Sequence, residues 1–213
     1  MYRKVIRMDS NWAAEHLQTI RTLMERSAIY RRALAPIMLF AGVLGVVAAA
    51  IGLLFDLDSV RAFVWLWLLT ATVAVVGAFL IARRQAFKAG EVFWSPPTRR
   101  VGQALLPPLL AGLCLGAFPV FTDGLGGGVA LLVSIVWILF YGCALHAAGF
   151  FMPRGIRLFG WAFIISACVL FYAFLLAWVG DFNADWLMGF FFGVLHLAYG
   201  VYLYLTERGK NAA

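Results

Sequence analysis

The run ALAPIMLFAGVLGVVAAAIGLLF, from Ala33 to Phe55, contains no acidic or basic side chain. A helix rises about 1.5 Å per residue, so roughly 20 apolar residues suffice to cross about 30 Å of hydrocarbon. Lipid offers no water to backbone amides, and a helix pairs all of them within one segment. The run therefore predicts a transmembrane α-helix. Further stretches of the same kind are Ala62 to Ala82, Ala104 to Thr122, Val129 to Phe150, Leu158 to Gly180 and Trp186 to Leu205, and none of these holds Asp, Glu, Lys or Arg. The expected fold is an all-α integral membrane protein with six transmembrane helices arranged as three hairpins. Residues 1–32 form a cytoplasmic amphipathic segment, 33–205 the bundle and 206–213 a cytoplasmic tail.

Composition agrees with this reading. Hydrophobic residues make up 64% of the chain and charged residues 13%, with a mean hydropathy of +0.91. A soluble domain carries about a quarter charged residues, so this chain cannot cover a water-facing surface. Its net charge of +7 is distributed as a membrane protein's is. Arg3, Lys4, Arg7, Arg21, Arg26, Arg31 and Arg32 precede the first span. Arg83, Arg84, Lys88, Arg99 and Arg100 fill the second loop, Arg154 and Arg157 the fourth, and Arg208 and Lys210 the tail. Of the 17 basic residues only Arg61 falls on the other side. Lys and Arg are held on the cytoplasmic side, so both termini are expected inside, and no nucleic-acid partner is implied. Asp56, Asp58, Asp123, Asp181 and Asp185 fall in the short outer loops. The first apolar run lies too far from the start for a cleavable signal peptide and reads as an uncleaved anchor.

On the cytoplasmic face, Ala13, Leu17, Ile20, Met24 and Ala28 recur at helical spacing, with Glu15, Gln18, Arg21, Glu25 and Arg26 largely off that stripe. This fits an interfacial helix lying on the headgroups; docking of a cytoplasmic protein partner is the alternative. In Trp94-Ser95-Pro96-Pro97-Thr98-Arg99-Arg100, two prolines argue for extended backbone, with Trp94 as an interfacial anchor. Met24-Glu25-Arg26-Ser27, Trp94 and Gly193-Val194-Leu195-His196-Leu197-Ala198-Tyr199-Gly200, set on six short-looped helices, resemble a family of uncharacterised bacterial six-helix inner-membrane proteins. The resemblance implies the bacterial cytoplasmic (inner) membrane, and it transfers no activity and no catalytic residue.

Inside the membrane, His196 and His146 are the groups whose charge changes near neutral pH. Gly189, Gly193, His196 and Gly200 are spaced by four, three and four, which puts them near one face and predicts a close helix contact. Tyr199 is within reach of the same neighbourhood. His146 lies between Gly142 and Gly149, close to the cytoplasmic end of its span. Both histidines are candidate ligand or helix-contact residues. Their depths differ by about 9 Å at the helical rise, which disfavours a haem held between them. Gly112 and Gly116, and Gly189 and Gly193, have GxxxG spacing for close packing within the chain or between copies. Pro107, Pro108 and Pro119 bracket the third span and predict kinked ends. Gly124-Leu125-Gly126-Gly127-Gly128 reads as a flexible turn, lacking the Lys and the preceding strand of a phosphate loop. Trp65, Trp67, Trp178 and Trp186 are expected to form an aromatic belt at the outer boundary.

Cys114, Cys143 and Cys168 stand singly in apolar stretches, so neither a disulfide framework nor a metal site is expected, and no cofactor is assigned. No catalytic set appears. The expected function is a non-enzymatic interaction or regulatory module whose partners are the bilayer, a cytoplasmic protein and further copies of itself. A small permease or channel for a neutral or weakly acidic solute, using His196, is the main alternative. A quinone- or haem-binding redox module is the third.

Overall fold

The computed structural model describes residues 33–57, 59–90, 93–122, 128–178 and 182–211, with side chains up to Thr206. The amphipathic segment before Ala33, Asp58, the turn 123–127 and Asp181 lie outside the described residues. Among the described residues, six helices are long and apolar enough to cross a membrane, and there is no strand. They are α1 (Ala33–Leu54), α2 (Val60–Lys88), α3 (Pro96–Ala117, prolonged by a 3₁₀ turn, Phe118–Phe121), α4 (Val129–Ala148), α5 (Arg154–Leu175) and α6. Helix α6 begins with Ala184–Met188, passes through a π-helical turn, Gly189–Val194, and continues as Leu195–Asn211. The described residues form helices and short connections, and these helices suit a chain that crosses a membrane several times.

Several boundaries differ from the sequence expectation, each for a local reason. Pro96 and Pro97 do not hold the backbone extended beyond the cap residue; they open α3 as its first residues. The N–H that proline lacks has no partner in a first turn, so nothing is lost there. Pro107 and Pro108 lie inside α3 and not at its end. Helix α2 continues past Ala82 through exposed Arg83 and Arg84 to Lys88. Helix α5 stops at Leu175, short of Gly180, where Ala177 takes a positive φ of 57°. The last helix runs to Asn211 and not merely to Leu205.

The packing is carried by small residues. Lipid tails are as apolar as leucine, so helices associate in a bilayer through close van der Waals fit, and small residues permit it. Along the α1–α6 seam, a β-carbon on Gly42 would meet the Leu197 nitrogen at 2.7 Å, and one on Gly193 the Val46 nitrogen at 2.9 Å. Gly189 faces Ala49, and Gly200 faces Leu39. At the α4–α5 contact, Gly142 lies against Phe163 and Ile164, and Gly160 against the His146 backbone. Gly112 and Gly116 of α3 sit under Phe140 and Trp137 of α4. Helix α4 is the hub, touching α2, α3, α5 and the start of α6. Helix α2 is peripheral: 11% of its most apolar window is buried, against 44% for α4. That difference leaves space beside α2.

Arg61, the basic residue on the sparsely charged side, has a local structural task. Its Nε–H donates to the Val120 carbonyl at 3.1 Å, satisfying an acceptor that the end of the 3₁₀ turn would leave open.

Candidate functional site

An apolar cavity of about 220 Å³ lies between α2 and α3, with α1, α4 and α6 behind it. Ala71 and Val75 of α2 and Leu113 of α3 line it and are exposed at the protein surface. The cavity thus opens sideways, towards the region that lipid would occupy. Its back wall carries Tyr141 of α4 and Phe192 and His196 of α6.

His196 is 1% exposed and sits among aromatic rings. Phe159 and Phe163 of α5 meet it edge-on at 5.3 and 5.7 Å, and Phe192 stacks on it at 5.9 Å. Both ring nitrogens are engaged. Nδ1 lies 2.9 Å from the Phe191 carbonyl, and Nε2 lies 2.7 Å from the Tyr141 hydroxyl. A carbonyl only accepts, so the hydrogen-bond network assigns the proton to Nδ1. A neutral imidazole then offers Nε2 as an acceptor, and the Tyr141 O–H donates to it.

The other polar groups on the wall are committed in the same way. Trp67 donates its indole N–H to Asp185 Oδ1 at 2.8 Å, Trp137 donates to the Gly112 carbonyl at 3.0 Å, and the Thr70 hydroxyl donates to the Leu66 carbonyl at 2.8 Å. Each side-chain donor lining the cavity therefore already has an acceptor within the protein.

Asp185 corrects two sequence expectations together. It lies in the first turn of α6 and not in an outer loop, and it is 5% exposed. Its carboxylate rests against Gly52 of α1, where a β-carbon would collide with it. Its backbone N–H is capped by Asn183 Oδ1 at 2.8 Å. Trp67, expected in the outer aromatic belt, is 3% exposed and serves as the partner of Asp185, whereas Trp65 and Trp186 are 61% and 62% exposed. An indole N–H buried in lipid surroundings needs an acceptor, and the carboxylate supplies it.

The remaining candidates lie elsewhere. Tyr199 stacks on Phe159 at 4.7 Å, is not among the residues lining the cavity, and brings its hydroxyl close to Gly155. Gly189, Gly193 and Gly200 face α1, while His196 turns aside towards α4 and α5. His146, in the last turn of α4, belongs to a separate cluster: Trp161 at 5.0 Å and Phe150 at 5.4 Å meet its ring edge-on, and its Nδ1 is buried without a partner. No group of three or more His, Cys, Asp or Glu able to hold a metal occurs among the described residues. Cys114, Cys143 and Cys168 are free thiols.

Tyr141, Trp67 and Asp185 are the functional candidates that sequence reasoning missed. A signal for Tyr141 existed: Ser134, Ile138, Tyr141 and Leu145 repeat at four, three and four along α4, and polar residues in a span point into the bundle. Comparison with family models, with curated proteins and with solved structures finds no match for this chain.

Proposed function

We propose that this chain is a non-enzymatic membrane module that binds an apolar molecule dissolved in the bilayer, taken up sideways between α2 and α3. The carrying observation is the cavity of about 220 Å³ with nearly all-apolar walls and one polar relay, Tyr141–His196, at its back. An apolar cavity of about 150 Å³ holds one benzene-sized ring, so this one suits a ring or a branched chain segment, with the remainder of the ligand trailing into lipid. A polar solute would lose its water here and gain little in exchange, which favours a lipophilic occupant over a permease substrate. Occupancy would be signalled to a partner at the basic face.

This reading places the chain in the bacterial cytoplasmic membrane, with both termini inside, three outward hairpins and the amphipathic segment on the inner leaflet. Its support is the confinement of Lys and Arg to one side and the resemblance noted from the sequence.

The test uses the protein in nanodiscs with a brominated lipophilic probe, because Trp67 and Trp137 line the cavity and bromine quenches indole fluorescence at contact. The expected result is a saturable quench that an unbrominated analogue displaces and that Ala71→Phe, which fills the exposed mouth without adding an indole, weakens several-fold. Quenching that rises linearly with probe and ignores Ala71→Phe would mean that the bundle binds nothing there.

A further inference from the structure

The donor pattern of the cavity wall, taken together with the proposed lipophilic binding on which it rests, selects the head group of the ligand. We infer that the site recognises a lipophilic hydroxyl compound, an apolar body bearing an O–H donor, and discriminates against carbonyl, ester and ether heads of the same shape.

The reasoning is a census of donors and acceptors. The indole N–H of Trp67, the indole N–H of Trp137 and the hydroxyl of Thr70 all donate to acceptors inside the protein. His196 spends its one proton on the Phe191 carbonyl, and Tyr141 spends its own on His196 Nε2. Among the described residues, the wall offers a ligand no side-chain N–H or O–H. It does offer lone pairs, because a hydroxyl oxygen that donates one bond still accepts two, and both Tyr141 and Thr70 retain them. A quinone, ketone or ester brings only acceptors and faces acceptors. A hydroxyl head brings the missing proton.

The relay reinforces that preference. A ligand O–H donating to the Tyr141 oxygen extends a chain that runs from ligand to Tyr141, from Tyr141 to His196 Nε2, and ends where His196 Nδ1 donates to the Phe191 carbonyl. Bonds aligned head to tail polarise one another, and the low dielectric of the cavity strengthens each. A ligand acceptor gains entry to the chain only by breaking the Tyr141–His196 bond and leaving Nε2 unpaired in a site where His196 is 1% exposed.

Two sources share this chemistry: aliphatic lipid alcohols such as prenols, and phenolic heads such as hydroquinones. The experiment measures displacement of the brominated probe by four compounds in nanodiscs under anaerobic conditions: farnesol, farnesyl methyl ether, decylhydroquinone and its dimethyl ether. At least one hydroxyl compound is expected to displace the probe about three- to tenfold more tightly than its own ether, the span of one net hydrogen bond. Whichever pair shows the larger ratio identifies the source. The double variant Tyr141→Leu/His196→Leu, which removes the Tyr141 oxygen together with the Nε2 acceptor it would otherwise leave bare, is expected to lower that ratio. Equal displacement by hydroxyl and ether forms of the wild-type protein overturns the donor selection and leaves lipophilic binding standing. Failure of all four to displace the probe overturns both. The wild-type ratios carry the test even where a variant does not fold.

Discussion

Replacing Gly45 by Ala tests whether backbone contact between α1 and α6 holds the bundle and its site together. A β-carbon at position 45 would lie 2.5 Å from the Phe192 carbonyl carbon and 2.7 Å from the Gly193 nitrogen. Both are main-chain atoms, so no rotamer change relieves the overlap. Ordinary contact begins near 3.4 Å, and the two helices must part locally by about 1 Å. A radial gap of that size forfeits up to about half of the dispersion energy of each atom pair that it separates, and overpacking of this kind costs about 1–3 kcal/mol. Gly102 is the internal control: it lies within α3, and a β-carbon there meets nothing within 4 Å. Ala at that position stabilises a helix by about 0.5–1 kcal/mol. The assay is reversible unfolding of the purified protein in mixed micelles, followed by far-ultraviolet circular dichroism, with both variants compared to the wild type. The expected order is Gly102→Ala at or above wild type, and Gly45→Ala below it by at least 1 kcal/mol. Equal stabilities for the two variants would refute the argument that α1 and α6 touch through their backbones. Because Phe192 and His196 also line the cavity, Gly45→Ala should in addition weaken probe binding.

Other outcomes follow from the polar contacts. Tyr141→Phe should destabilise the bundle by about 1 kcal/mol, and a double-mutant cycle with His196→Ala should show a coupling energy of that size; additive single effects would mean that the hydroxyl and the imidazole do not act as a pair. Asp185→Ala strands the Trp67 indole N–H and should cost about 1–3 kcal/mol in the same unfolding assay. The three atoms nearest to a β-carbon at Gly52 all belong to the Asp185 carboxylate, so Gly52→Ala should be harmful alone and less so once Asp185 is Ala, a coupling that unrelated sites would not give. With the native cysteines replaced, Arg100→Cys should react with an impermeant maleimide only in inverted vesicles and Asp56→Cys only in intact cells; the opposite labelling would invert the proposed orientation.

The membrane-spanning helices were legible in the sequence because a span is specified by its own composition: an uncharged run either suffices to cross lipid or it does not. Helix ends were less legible. Pro96 and Pro97 break a helix in its interior but begin one without loss, and the sequence alone does not say which applies. The site was legible only on α6. His196 stood out as an intramembrane histidine, whereas the significance of Tyr141, Trp67 and Asp185 depends on which helices are neighbours. Trp67 and Asp185 are 118 positions apart, and nothing local to either indicates the other. The rule that a tryptophan near a membrane boundary anchors the interface requires an exposed ring, which Trp65 and Trp186 have and Trp67 lacks, since the rule ignores which side of the helix meets protein.

The wide turn Gly189–Val194 governs how α6 meets α1. Steps of four residues creep around an ordinary α-helix by about 40° each, so Asp185, Gly189 and Gly193 would drift progressively away from a straight partner. One π turn accommodates an additional residue and takes back much of that drift, as a vernier is reset. It leaves Asp185, Gly189, Gly193 and Gly200 aligned on α1 while His196 stands off to the side. Loss of a single phenylalanine from the run Phe190–Phe192 would therefore leave a plain α-helix with its two ends still in phase, whereas loss of a residue between this turn and His196 would swing the imidazole about 100° away from the carboxylate without altering either residue.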